Sequence, residues 1–253
     1  MNIRKFLLGF VCFLSVSISN GYAQKDTLSV LFVGNSYTYF WNLPQTVEVI
    51  SKEQDGVYIK ARQSTAGGAT WQEHWDGERK LESKKLITEG NWDIVVLQNH
   101  SKSTIEKLEQ FEVYGERFVE LVKKSGAQPV LYQTWAREYN PLTQPIIEKG
   151  YQSLAEKHKL KVVPVGNIWI MVRDARPDLK LYDPDGSHPS TIGTYLTACA
   201  FYAYLTDKNA LGIPHRLKTR DANGETLYLS IMSPENAAFL QTAIDRYREE
   251  EER

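Results

Sequence analysis

The stretch that most constrains the fold is Leu28 to Val33, a nearly unbroken apolar run that leads directly into Gly34-Asn35-Ser36. A strand that is apolar on both faces is buried on both faces, and such strands belong to parallel sheets covered by helices. Similar runs recur at Val57–Arg62, Trp92–Leu97, Pro129–Gln133 and Val162–Val165. Between them the spacing predicts helices. Leu43–Lys52 has Asn42 as N-cap and Pro44 in its first turn. The second half of Trp71–Glu89 reads as helical. Ile105–Lys124 carries Leu108, Phe111, Val119, Leu121 and Val122 on one face and stops at Ser125-Gly126. Thr143–Lys159, Ile168–Asp174 and Ile192–Leu205 follow. Strands alternating with helices imply an α/β fold with a mostly parallel sheet covered on both faces. Asp221-Ala222-Asn223-Gly224 reads as a turn between two short strand-like pieces. Ser233-Pro234-Glu235 opens a last helix, whose Arg246–Arg253 charge run is expected to be a solvated, fraying end.

The N-terminus reads as a cleaved leader. Arg4 and Lys5 precede an apolar stretch from Phe6 to Ile18, and Gly21-Tyr22-Ala23 suits cleavage before Gln24. The stretch is too short to span a bilayer comfortably, and Cys12 lies far from the cleavage site, so no membrane or lipid anchor is expected. Removing these 23 residues from 253 leaves 230, enough for one domain over residues 24–253 with a substantial core. The leader carries two bases and no acids, so the formal charge of −1 becomes −3. That leaves no positive field to hold nucleic acid. Only Cys199 remains, which rules out an intramolecular disulfide, and its apolar neighbours predict a buried thiol. The chain is expected to be exported, to the periplasm or beyond the cell.

Four short stretches carry the chemistry: Gly34-Asn35-Ser36, Ala66-Gly67-Gly68-Ala69-Thr70, Leu97-Gln98-Asn99-His100 and Asp185-Gly186-Ser187-His188. A serine hydroxyl attacks only when a base takes its proton. Ser36 follows a buried strand, and the carboxyl ends of parallel strands are where ligands bind. Asp185 and His188 sit three apart in a loop bent by Pro184 and Gly186, a spacing that lets the carboxylate reach Nδ1 while Nε2 faces a serine. Asp183 is a rival carboxylate at a less suitable spacing. Gly68, just past the second strand, offers a backbone N–H with no side chain in the way. Asn99, just past the strongest strand, offers a side-chain NH₂. Taken singly, each has a plain structural alternative: a serine in a β–α turn, an idle loop histidine, a flexible glycine turn, a helix-capping asparagine.

The order Ser, Gly, Asn and Asp-x-x-His resembles the SGNH hydrolase superfamily, also called GDSL esterases and lipases, over Leu28 to about Leu205. That resemblance implies a three-layer α/β/α sandwich with a five-stranded parallel sheet. It implies Ser36 as nucleophile, His188 as base, Asp185 as its partner, and Ser36, Gly68 and Asn99 as oxyanion donors. Three positions depart from the family pattern. Asn35 replaces its aspartate, Leu97 the glycine before Asn99, and His100 a second aspartate. Gly67 competes with Gly68, whose register with Ala69-Thr70 is the better one.

Tyr37, Tyr39, Phe40, Trp41, Trp71, Trp75 and Trp135 surround these motifs. Tyr37, Trp71, Trp135 and His100 are the expected substrate contacts, since flat rings suit sugar stacking as well as acyl packing. His74 is a further candidate to line the cleft. Neither His74 nor His100 has partners at metal-ligand spacing, so neither a metal nor another cofactor is expected. The expected partner is an acylated carbohydrate or another small ester. The alternatives are a lipid acyl esterase or lysophospholipase, and a glycan-binding module on an inactive hydrolase scaffold.

Overall fold

A computed structural model describes residues 26–253. The predicted leader lies outside the described residues. The strands are β1 (Asp26–Gly34), β2 (Val57–Thr65), β3 (Ile94–Leu97), β4 (Gln128–Tyr132), β5 (Lys161–Val163), β6 (Arg216–Arg220) and β7 (Thr226–Ile231). The helices are α1 (Ser36–Tyr39), α2 (Leu43–Glu53), α3 (Trp71–Asp76), α4 (Ser83–Glu89), α5 (Ser103–Glu106), α6 (Leu108–Lys124), α7 (Gln144–His158), α8 (Val165–Ala175), α9 (Thr191–Thr206) and α10 (Pro234–Glu251).

The first five strands form one parallel sheet in the order β2-β1-β3-β4-β5. Alternate residues feed two separate cores, as the period of a strand requires. Val30, Phe32, Val96 and Tyr132 pack with residues of α2, α8, α9 and α10 on one face. Leu31, Val33, Val95 and Leu131 pack with residues of α3, α4, α6 and α7 on the other. This is the predicted three-layer sandwich, and it explains why the buried stretches of β1 and β3 are apolar on both faces. Each fully buried aliphatic or phenyl side chain contributes about 1.5–3 kcal/mol, and most of β1 and all of β3 are buried.

The chain leaves β1 toward β2 on one side and returns to β3 on the other, so the order reverses between β1 and β3. In open α/β sheets, that reversal leaves a crevice at the carboxyl ends of the strands. Gly34 is level with Thr65 of β2, and Val33 with Leu97 of β3. The segments after these three strands therefore meet at one place.

Several boundaries differ from the sequence reading. The region from 71 to 89 is two helices, broken where Gly77, Arg79 and Lys80 take positive φ. The predicted 105–124 helix is divided at Lys107 between α5 and α6. Asn42 is left-handed (φ 58°) and makes no side-chain cap. The Arg246–Arg253 run is not a loose end either. Arg248 pairs with Asp207 at 2.7 Å, and Glu251 accepts from the Tyr204 hydroxyl, so α10 is docked on the end of α9. No helix among the described residues is long and apolar enough to cross a membrane.

Candidate active site

β1 ends in a tight junction. A Cβ on Gly34 would lie 2.4 Å from both Gln98 Oε1 and Thr38 Oγ1, so only glycine fits there. Asn35 then caps the single turn of α1. Its Oδ1 accepts from the Tyr37 N–H at 3.1 Å, and its Nδ2 donates to the Ala69 carbonyl at 3.0 Å. An aspartate at this position would lack the Nδ2 donor, so asparagine ties the turn after β1 to the loop after β2. Ser36 is the first residue of that turn, where a backbone N–H has no intrahelical partner.

Ser36 Oγ lies 2.9 Å from His188 Nε2, and His188 Nδ1 lies 2.5 Å from Asp185 Oδ2. Asp185 Oδ1 also accepts the backbone N–H groups of Ser187 and His188, each at 2.9 Å. Partial burial pushes the Asp185 carboxyl up, but these hydrogen bonds outweigh it and hold the group below its ordinary value. An ionised Asp185 only accepts, so Nδ1 carries the imidazole proton. Nε2 is then bare and takes its hydrogen bond from the Ser36 hydroxyl.

The histidine loop is clamped from several sides. Trp135 Nε1 donates to Ser187 O at 3.0 Å, and Trp41 Nε1 donates to Pro189 O at 3.0 Å. The Tyr37 hydroxyl meets Ser187 Oγ at 2.8 Å, and the Glu138 N–H donates to Gly186 O at 2.8 Å. Phe40 lies flat on the His188 ring, with centroids 4.1 Å apart. Tyr37, Trp135 and Trp169 stack in turn beneath, at 4.5 and 3.8 Å.

Asn99 Oδ1 accepts two backbone N–H groups, from Trp71 at 2.9 Å and His100 at 2.8 Å. That fixes which end of the amide is oxygen and leaves the Nδ2 donors without a partner among the described residues. The capping alternative considered for Asn99 is thus realised at a distance, on the first N–H of α3, alongside a free NH₂. Gly68 takes φ +68°, and added bulk at its Cβ would meet nothing within 4 Å. Its N–H has no partner among the described residues. Gly67 is fixed by its carbonyl, which accepts from Arg79 Nη1 at 2.6 Å.

A cleft of about 380 Å³ opens over this group, bounded by Ser36, His188, Gly67, Gly68, Tyr39 and Phe40. Tyr37 and His100 also reach it. Burial is the main cause that lowers the His100 imidazole pKa, with the Arg137 charge adding to it. Two expected substrate contacts do not reach the cleft. Trp71 is 0% exposed, stacked on Phe111 in the core beneath α6, and Trp135 is 1% exposed, within the aromatic stack. Both follow a strand end closely, but their rings turn inward, because a side chain of that size is stabilised more by burial than by a place at a wet rim. His74 is likewise fully buried. Arg137 and Ser101, which line the cleft, were not singled out from the sequence. The available signal for both was position: each lies within five residues of a strand's carboxyl end.

No protein-family model matches the chain, and no curated protein does. Solved structures do. A DUF4886 family protein from Bacteroides uniformis is similar over 90% of this chain and 97% of that one, at 18% identity and a TM-score of 0.72. A protein from Slackia heliotrinireducens, provisionally described as an SGNH hydrolase, is similar over 71% of this chain and all of that one, at 22% identity and a TM-score of 0.61. An acetyl xylan esterase is similar over 70% of this chain and 98% of that one, at 15% identity and a TM-score of 0.56. With its five parallel strands in this order, the chain has the fold of the SGNH hydrolase superfamily.

Proposed function

We propose that this protein is an exported serine esterase that removes small acyl groups, acetyl above all, from carbohydrate. The observation that carries the reading is the unbroken chain from Ser36 Oγ through His188 to Asp185, at the floor of an open cleft. As Ser36 attacks the ester carbonyl, His188 Nε2 takes its proton, and Asp185 stabilises the imidazolium. The Ser36 and Gly68 N–H groups and Asn99 Nδ2 are the donors for the oxyanion. His188 then returns the proton to the leaving alcohol. In the second half His188 deprotonates water, which releases the acid and restores Ser36. The aromatic wall of Tyr39 and Phe40 favours a sugar ring on the alcohol side.

A lipid acyl esterase is favoured by one feature, the adjoining depression that includes Ile105, Ile147 and Tyr139. Hydrolysis rates on p-nitrophenyl esters of increasing chain length separate the two, since a small-acyl esterase loses rate beyond a few carbons. The principal test is acetate release from acetylated xylan and pectin. Ser36→Ala is expected to lower kcat by about 10³-fold or more. Activity retained in that variant would remove Ser36 from the mechanism.

A further inference from the structure

We propose that Arg137 makes the cleft selective for esters that carry a carboxylate near the scissile bond; this rests on the esterase reading above. Of the side chains that line the cleft, only Arg137 carries a permanent charge, and none is an aspartate or glutamate. Among the described residues Arg137 forms no ion pair, and the Asp185 and Glu106 carboxylates act on it only at longer range. Two other cations near the site are paired locally. Arg79 pairs with Glu73 at 2.6 Å, and Lys102 with Glu106 at 2.8 Å.

The Arg137 donors are largely uncommitted. Nη1 donates to the Tyr139 hydroxyl at 3.1 Å, and Nε is enclosed in the wall with no partner. A guanidinium has five N–H groups, so the outer ones have no partner among the described residues. Their planar fork matches a carboxylate.

The main chain on both sides of Arg137 is held in place. The Ala136 N–H donates to Gln144 Oε1 at 2.6 Å, and the Ala136 carbonyl accepts from the Tyr182 hydroxyl at 2.7 Å. On the other side, the Glu138 N–H donates to Gly186 O in the histidine loop. The main chain at Arg137 is thus tied to the loop that carries the base, which fixes where the side chain enters the cleft. Arg137 also borders both the main cleft and the adjoining depression, so a carboxylate on either half of the ester falls within its reach.

The test compares wild type, Arg137→Gln and Arg137→Lys on two matched pairs. Mono-p-nitrophenyl succinate against p-nitrophenyl acetate places the carboxylate on the acyl half. O-acetyl galacturonate against its methyl ester, read as acetate release, places it on the sugar half. In wild type, kcat/KM is expected to favour the anionic member of at least one pair tenfold or more, and the pair that responds identifies the half. Arg137→Gln should cut that ratio at least tenfold, mainly through KM, with Arg137→Lys intermediate. Equal rates within both pairs, or a ratio unchanged in Arg137→Gln, would overturn the proposal. Absence of turnover on every substrate would overturn the esterase reading alone. Calorimetry then decides the selectivity, with galacturonate and succinate titrated into Ser36→Ala. Binding weakened tenfold by adding Arg137→Gln would uphold it, and no binding would overturn it.

Discussion

Gln98 is fully buried at the end of β3, and its Oε1 accepts from both the Asn35 N–H at 2.8 Å and the Thr38 hydroxyl at 2.9 Å. Its Nε2 donates to the Asn99 carbonyl. One side chain therefore sets the turn that carries Ser36 against the segment that holds Asn99. Gln98→Leu keeps the volume and removes these bonds, leaving a backbone N–H and a hydroxyl buried without an acceptor. The expected cost is about 2–4 kcal/mol of stability, read from urea midpoints. With Ser36 as the proposed nucleophile, a fall in kcat of about tenfold is expected with it, since small displacements of a reacting group are costly. An unchanged midpoint would show that Gln98 is not the link. The motif residues Ser36, Asp185 and His188 were legible because their types and spacing are local. Gln98 was not, because its partners lie about 60 positions away, and only the β1–β3 register brings them together.

At the scale of elements, α3 shows a readable signal beside an unreadable one. Thr70 and Glu73 form a capping box, with Glu73 N–H to Thr70 Oγ1 at 3.2 Å and Thr70 N–H to Glu73 Oε2 at 2.7 Å. That Thr-x-x-Glu pattern marks a helix start in sequence, which the expectation of helix only in the second half of 71–89 passed over. The role of His74 was not legible. Its Nε2 lies 2.9 Å from the Gly34 carbonyl, which only accepts, so Nε2 carries the proton and Nδ1 accepts from Ser83 Oγ at 2.6 Å. Ser83 has then spent its proton and accepts from Ser64 Oγ at 2.8 Å. This directional relay links β2, α4 and α3 to the end of β1, two residues before Ser36. Burial is the chief cause that lowers the His74 pKa, from 6.5 to about 4. Between these values the unfolded chain binds a proton that the folded chain refuses. The contribution of neutral His74 is thus complete above about pH 6.5 and is lost as pH falls through about 4, a change on the order of 3 kcal/mol. In urea titrations at stepped pH, wild type should lose stability over this window more steeply than His74→Gln. Parallel curves would mean that the histidine is not held neutral.

For the whole molecule, alternating strands and helices made the parallel sheet and its two covered faces legible, because buried β-branched runs and amphipathic helices have different periods. Strand order was not legible from the residues, since nothing local in β1 states that β2 and β3 lie on opposite sides of it. The same holds for α10. Its charged tail reads as solvated, yet the helix closes one face of the sandwich. Leu240 and Ile244 are fully buried, and Gln241 Nε2 donates to the Tyr195 hydroxyl and to Ile213 O, each at 2.6 Å. Asp245 accepts the N–H groups of Ala210 and Leu211 at 2.7 and 2.9 Å, holding the segment between α9 and β6. A chain ending at Ser233 would uncover this apolar surface and leave those groups without partners. It is expected to lose cooperative thermal unfolding, whereas removal of Glu252 and Arg253 should change stability by less than about 0.5 kcal/mol. Leu240→Ala provides the graded version, with an expected loss of about 2–5 kcal/mol. A cooperative melt in the chain ending at Ser233, close to that of the full protein, would make α10 an appendage. The face over α8 and α9 would then have to be stable uncovered, which its buried leucine, isoleucine and glutamine contacts argue against.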